Sequence, residues 1–108
     1  MLSGYRIMWL MVMFDLPVLT PKERKQASDF RNGLLDLGFE MQQFSVYLRC
    51  CPSYRQTETY SQKIVKSLPS GGKVSIIQIT DKQLERVQSF QGGSRKKQLS
   101  APGQFELF

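Results

Sequence analysis

Residues 7–17 read Ile-Met-Trp-Leu-Met-Val-Met-Phe-Asp-Leu-Pro. Eight apolar residues in a row, Ile7 to Phe14, lead straight into the carboxylate of Asp15. An unbroken run of that length suits a strand buried on both faces. Pro17 has no backbone N–H and cannot continue a central strand, so the strand is expected to end near Asp15. A carboxylate is thereby mounted at the mouth of a rigid core element. By itself it reads equally as a solvated turn residue.

The surrounding chain supplies one domain's worth of core. Its 108 residues are 41% hydrophobic, enough to fold once and too few for two cores. Fifteen Lys and Arg against nine Asp and Glu leave a net charge of +6, which favours a polyanionic partner, nucleic acid before an anionic membrane. The chain contains no histidine, so His general bases, His–Cys nucleophile pairs and His-containing zinc sites are excluded. Cys50 and Cys51 are neighbours with no third cysteine to complete a framework or metal site, and a reducing cytoplasm is the expected location. The apolar run is far shorter than the roughly 20 residues of a membrane-spanning helix. Only Arg6 precedes it and no small-residue cleavage site follows, which argues against a signal peptide.

Outward from the first strand, Thr20-Pro21-Lys22-Glu23 reads as a capping box with proline at the first helical position. Ala27, Phe30, Leu34 and Leu37 then recur on one helical face until Gly38 stops it. A second strand is expected over 39–41, with a reversal near Gln42 and Gln43. A third strand over 44–49 is expected to alternate, Phe44, Val46 and Leu48 on one face and Ser45, Tyr47 and Arg49 on the other. Ser53 to Gln56 resembles a second capping box, opening a helix to Leu68 with Tyr60, Ile64 and Leu68 inward. Pro69-Ser70-Gly71-Gly72 ends it. Residues 73–80, rich in β-branched side chains, form the fourth strand. A short amphipathic helix follows over 80–90, then a flexible basic segment, Gly92 to Lys97. The closing residues 104–108 alternate like a strand with no partner strand beside them.

Strand, helix, strand, strand, helix, strand is the ferredoxin-like βαββαβ order of the α+β class. It implies an antiparallel sheet ordered 4-1-3-2 with both helices on one face. Residues 1–91 form that domain, and residues 92–108 a basic linker plus C-terminal strand. The first strand is central, and one chain has no layer left for its second face, so a two-fold homodimer is expected. The C-terminal strand would add to the sheet edge of the other subunit. Because the third and fourth strands run opposite to the first, Gln43, Ser45 and Lys73 fall near Asp15, and Asp81 lies at the far end. No second carboxylate of the same chain is well placed. A magnesium ion, often held by one or two carboxylates plus waters, would need Asp15 from two subunits.

At this point the chain resembles the small CRISPR-associated endoribonucleases that accompany the CRISPR integrase. The resemblance rests on Met13-Phe14-Asp15-Leu16-Pro17 ending the first strand and Gln43-Phe44-Ser45-Val46-Tyr47 opening the third, separated by a capped helix closed at Gly38. It covers roughly residues 5–80 and implies a ferredoxin-like homodimer acting in antiviral defence, in the acquisition of new spacers. In that role it is a double-stranded DNA-binding scaffold and ruler between integrase dimers. It also implies a Mg2+- or Mn2+-dependent endonuclease, a hydrolase of RNA or DNA, in which paired Asp15 residues hold the metal that activates water. Two departures, Phe14 where tyrosine is frequent and Met41 where some members carry arginine, weigh against efficient cleavage and leave the scaffold favoured. An autonomous endoribonuclease is the alternative. An RNA-recognition module on the same topology is a third reading, disfavoured because the third strand lacks the glycine and paired aromatics of the RNA-stacking motif.

Asp15 is thus the candidate metal and catalytic residue, with a structural turn role or DNA-facing electrostatics as alternatives. Lys22, Arg24 and Lys25 load the first turn of a helix, where cations oppose the macrodipole; they are candidate phosphate contacts or a solvated face. Arg95, Lys96 and Lys97 are candidates for a duplex backbone or an acidic partner, or a solubilising tail. Phe105, Leu107 and Phe108 are candidate anchors on a dimer mate or the integrase. Tyr47 and Tyr54 have the chemistry to stack on bases but fit the core equally. Ser45, with no base to activate it, reads as a polar neighbour of Asp15.

Overall fold

Pro17 stops the first strand as expected, and the elements that follow build a four-stranded antiparallel sheet. The computed structural model describes residues 7–92 and 94–98. In chain order these form β1 (Met8–Asp15), α1 (Pro21–Asp36), β2 (Glu40–Gln43), β3 (Val46–Cys51), α2 (Tyr54–Lys66), β4 (Lys73–Thr80), α3 (Asp81–Glu85), β5 (Phe90–Gln91) and β6 (Ser94–Gln98). The main sheet has the order β2-β3-β1-β4, and β5 pairs with β6 in a separate hairpin. This is the ferredoxin-like α+β arrangement, with β1 central between β3 and β4.

The caps are built from the residues that announced them. Thr20 Oγ1 accepts from the Glu23 N–H at 3.1 Å, and Glu23 Oε1 accepts from the Thr20 and Leu19 N–H groups at 3.0 and 2.9 Å. At the other end Gly38 takes φ +90°. The Phe39 N–H then reaches the Leu34 carbonyl and the Gly38 N–H the Leu35 carbonyl, both at 3.0 Å, a Schellman closure whose flanking apolar pair, Phe39 and Leu34, is buried. The second cap is simpler: Ser53 accepts from Gln56, without the reciprocal bond.

Alternation along β1 decides where the core sits. Met8, Leu10, Val12 and Phe14 are buried against Phe30, Leu34 and Ile64 of the two long helices. Trp9, Met11 and Met13 are only partly buried, so the expectation of burial on both faces does not hold within the chain. That face is covered only in part: Leu48, opposite Met11, is buried, and Ile77 on Met11's other side is exposed.

Three further expectations are corrected. The reversal between β2 and β3 falls at Phe44-Ser45, not at Gln42-Gln43, so Phe44 is 88% exposed instead of lining a strand face. With Met8 opposite Cys51 and Val12 opposite Tyr47, the helix-facing side of β3 carries Tyr47, Arg49 and Cys51. Arg49 is accommodated there because its head is fully engaged: it donates to the carbonyls of Leu37 (2.8 Å) and Cys50 (2.6 Å) and to the Tyr60 hydroxyl (2.8 Å). Helix α2 stops at Lys66, leaving Leu68 exposed. The basic segment expected to be flexible contains the strand β6. The C-terminal strand and its candidate anchors Phe105, Leu107 and Phe108 lie outside the described residues.

Candidate functional site

Asp15 is the last residue of β1, and the strand's period of two separates it from its neighbour. Phe14 turns into the core, edge-on to Phe30 at 5.2 Å and stacked with Tyr47 at 5.7 Å. Asp15 turns to the opposite side and is exposed. A tyrosine hydroxyl at position 14 would therefore point away from the Asp15 carboxylate.

Cross-strand register supplies the surroundings. On one side Asp15 stands opposite Lys73, the first residue of β4. An open recess there is lined by Met13, Phe14, Asp15, Lys73 and Ser75. On the other side the Ser45 carbonyl accepts from the Phe14 N–H at 3.0 Å, carrying the β1–β3 ladder past its last pair, Met13 with Val46. Among the described residues neither a hydrogen bond nor an ion pair engages the side chains of Asp15 and Lys73.

Two residues hold this corner: Gly72, which was missed, and Ser45, which was expected beside Asp15. Gly72 has φ +84°, and a Cβ there would lie 2.5 Å from the Asp15 carbonyl oxygen and 2.9 Å from the Leu16 side chain. No side chain fits, so Gly72 allows β4 to start tight against β1 at the level of Asp15. The Gly71-Gly72 pair was visible in the sequence, but only as a helix stop. Ser45 takes φ 68°, a left-handed conformation that non-glycine residues seldom adopt, and its role is carried by its backbone carbonyl. Serine offers no sequence signal for that conformation.

The predicted cations separate. Lys22 is exposed in the first turn of α1. Arg24 instead ties down the β1–α1 loop, donating to the Val18 and Leu19 carbonyls at 3.1 and 3.2 Å. Lys25 pairs with Asp29 one turn on, at 3.0 Å on the surface. Arg95, Lys96 and Lys97 lie on β6, in the small hairpin with β5. Of the aromatics, Tyr47 is buried in the core and Tyr54 is half exposed at the start of α2.

As a metal site, one chain offers a partial donor set. Asp15 is a hard carboxylate suited to magnesium or manganese, but the described residues include no group of three His, Cys, Asp or Glu able to hold an ion. Asp81 is at the far end of the sheet, where it accepts from the Trp9 indole at 2.8 Å. Among the described residues no second carboxylate completes the set. The thiols offer no alternative chemistry. Both cysteines are free, and burial, with the Asp81 carboxylate acting on Cys50 and Cys50 on Cys51, pushes both up against the opposing pull of Arg49. Among the described residues no helix is long and apolar enough to cross a membrane.

Comparison with known proteins agrees with this architecture. A family model described as "CRISPR associated protein Cas2" matches residues 8–87, from the start of β1 to just past α3. A protein of Paracidovorax avenae named "CRISPR-associated endoribonuclease Cas2" is 59% identical over 108 residues, covering all of both chains. Proteins with the same name from Flavobacterium psychrophilum and Parvibaculum lavamentivorans are 47% and 41% identical. They cover 99% and 94% of this chain, and 93% and 100% of their own lengths.

Proposed function

The chain belongs to the CRISPR-associated Cas2 family, and from that premise we propose that it serves spacer acquisition as a dimeric, duplex-DNA-binding scaffold for the CRISPR integrase in the cytoplasm. The observation that carries this reading is the incompletely covered face of the sheet, where Leu48 is buried but Trp9, Met11 and Met13 are only partly buried and Ile77 is exposed. A second copy on that face would remove apolar surface from water and double the basic charge available to a polyanion. Lys22 and the β6 cations Arg95, Lys96 and Lys97 are the residues assigned to phosphate contacts.

The recess at Asp15 favours a second activity in the same protein, metal-dependent hydrolysis of RNA or DNA, the activity named in its relatives. Asp15 from each of two copies would hold Mg2+ or Mn2+. The bound ion supplies an activated water. The chain's own part is to fix the carboxylate at the strand end through Gly72 and Ser45.

Wild type and Asp15→Ala, assayed with magnesium, manganese or chelator on labelled RNA, single-stranded DNA and duplex, separate these activities. Metal-dependent cleavage lost in Asp15→Ala, with salt-sensitive duplex binding retained, is the expected result. Cleavage indifferent to Asp15 rejects the catalytic assignment. Duplex binding that fails in wild type at low salt rejects the scaffold.

A further inference from the structure

The recess beside Asp15 carries one negative and one positive charge. It encloses about 220 Å³, and its lining comprises the Asp15 carboxylate, the Lys73 ammonium and the Ser75 hydroxyl together with Met13 and Phe14. Asp15 and Lys73 are direct cross-strand partners, and Ser75 stands opposite Met13. The period of two along each strand therefore puts the three polar side chains on one side of the sheet. Directly opposed Cβ atoms lie about 4.5–5.5 Å apart, within reach of lysine's flexible four-carbon stem. Even so, among the described residues no ion pair or hydrogen bond holds the ammonium. Both residues are exposed, where such a pair contributes little, so redirecting the ammonium to another anion costs little.

That ammonium matters to any divalent cation at Asp15. The carboxylate attracts the ion and the ammonium repels it, so the net attraction of the recess is close to zero. A second copy would bring another carboxylate and another ammonium, and the balance would stay at zero. An anion changes it. A phosphodiester adds negative charge to the recess and gives Lys73 a partner of its own.

Resting on the reading of Asp15 as the metal residue, we infer that Lys73 makes divalent-ion binding at Asp15 conditional on a phosphodiester. The two ligands bind cooperatively, and by linkage each raises the affinity for the other by the same factor. Lys73 acts on the ion through its charge and is a positioning residue. Without phosphate the recess holds its ion weakly, and loading of the site is tied to the arrival of nucleic acid.

The test follows Mn2+ binding by the loss of the free ion's paramagnetic resonance signal, so no turnover enters. The anion probe is dimethyl phosphate, compared with chloride at equal ionic strength. Wild type is expected to bind Mn2+ weakly in chloride and severalfold more tightly in dimethyl phosphate. Lys73→Gln should bind roughly tenfold more tightly in chloride, the scale of removing one positive charge a few ångströms from a divalent ion in water. It should also lose the response to dimethyl phosphate. Lys73→Arg keeps the charge and should behave as wild type. Lys73→Glu sets a second carboxylate opposite Asp15 and should bind most tightly of all. Circular dichroism checks that each variant keeps the fold. Asp15-dependent binding that is unchanged in Lys73→Gln, or that keeps its phosphate response there, overturns the inference. So does an absence of Mn2+ binding in every variant, Lys73→Glu included. Binding that survives Asp15→Asn would instead sink the reading of Asp15 as the metal residue.

Discussion

The two faces of the sheet are opposite solutions to the same eight residues of β1. On the helix side Leu10 and Val12 are fully buried, and Phe14 packs between Phe30 and Tyr47. On the other side Trp9, Met11 and Met13 are half-covered and the row ends in the exposed Asp15. One face is completed within the chain and serves stability. The other is only partly covered and carries the candidate chemistry. An unbroken apolar strand therefore does not by itself guarantee two fully buried faces within one molecule.

The sharpest way to break this contrast is a matched pair of truncations. Leu10→Ala, on the finished face, should cost about 2–5 kcal/mol in a denaturant titration. Met11→Ala should cost far less in the dilute monomer and should instead weaken self-association measured by sedimentation. Equal stability losses would show that the second face is already closed.

Gly72→Ala probes the corner where the faces meet. It forces a side chain into a left-handed position against the Asp15 carbonyl, with an expected loss of at least about 1–2 kcal/mol from the conformation alone. The thermal midpoint should fall, and any Asp15-dependent activity should fall further than stability explains. A midpoint unchanged from wild type would mean that β4 does not pin Asp15.

The smallest effect is expected far from both faces. Thr20→Ala removes the side-chain half of the α1 cap and should cost about 1 kcal/mol, read by the same titration with binding unaffected. A change in nucleic-acid affinity there would move the functional surface towards Lys22.

Much of this was legible in residue order because the signals are short-range. The capping box at Thr20, the left-handed stop at Gly38, the end of β1 at Pro17 and the strand–helix sequence each depend on residues within a turn or two of one another. They were enough to give the α+β ferredoxin-like order and to single out Asp15. The hairpin was misplaced by two residues because Phe44-Ser45 lacks the Asn-Gly type of signal such a turn usually carries.

What residue order determined by itself was the set of elements and the carboxylate at the end of the first. The expected strand directions already brought Ser45 and Lys73 to its end of the sheet, but only the tertiary structure decided the register. Lys73 is 58 positions away along the chain, and its place opposite Asp15 follows from the β1–β4 register. Gly72 permits that register through close backbone packing, and Ser45 secures the other flank through one carbonyl. Register is a property of two strands at once, so no pattern within either strand contains it.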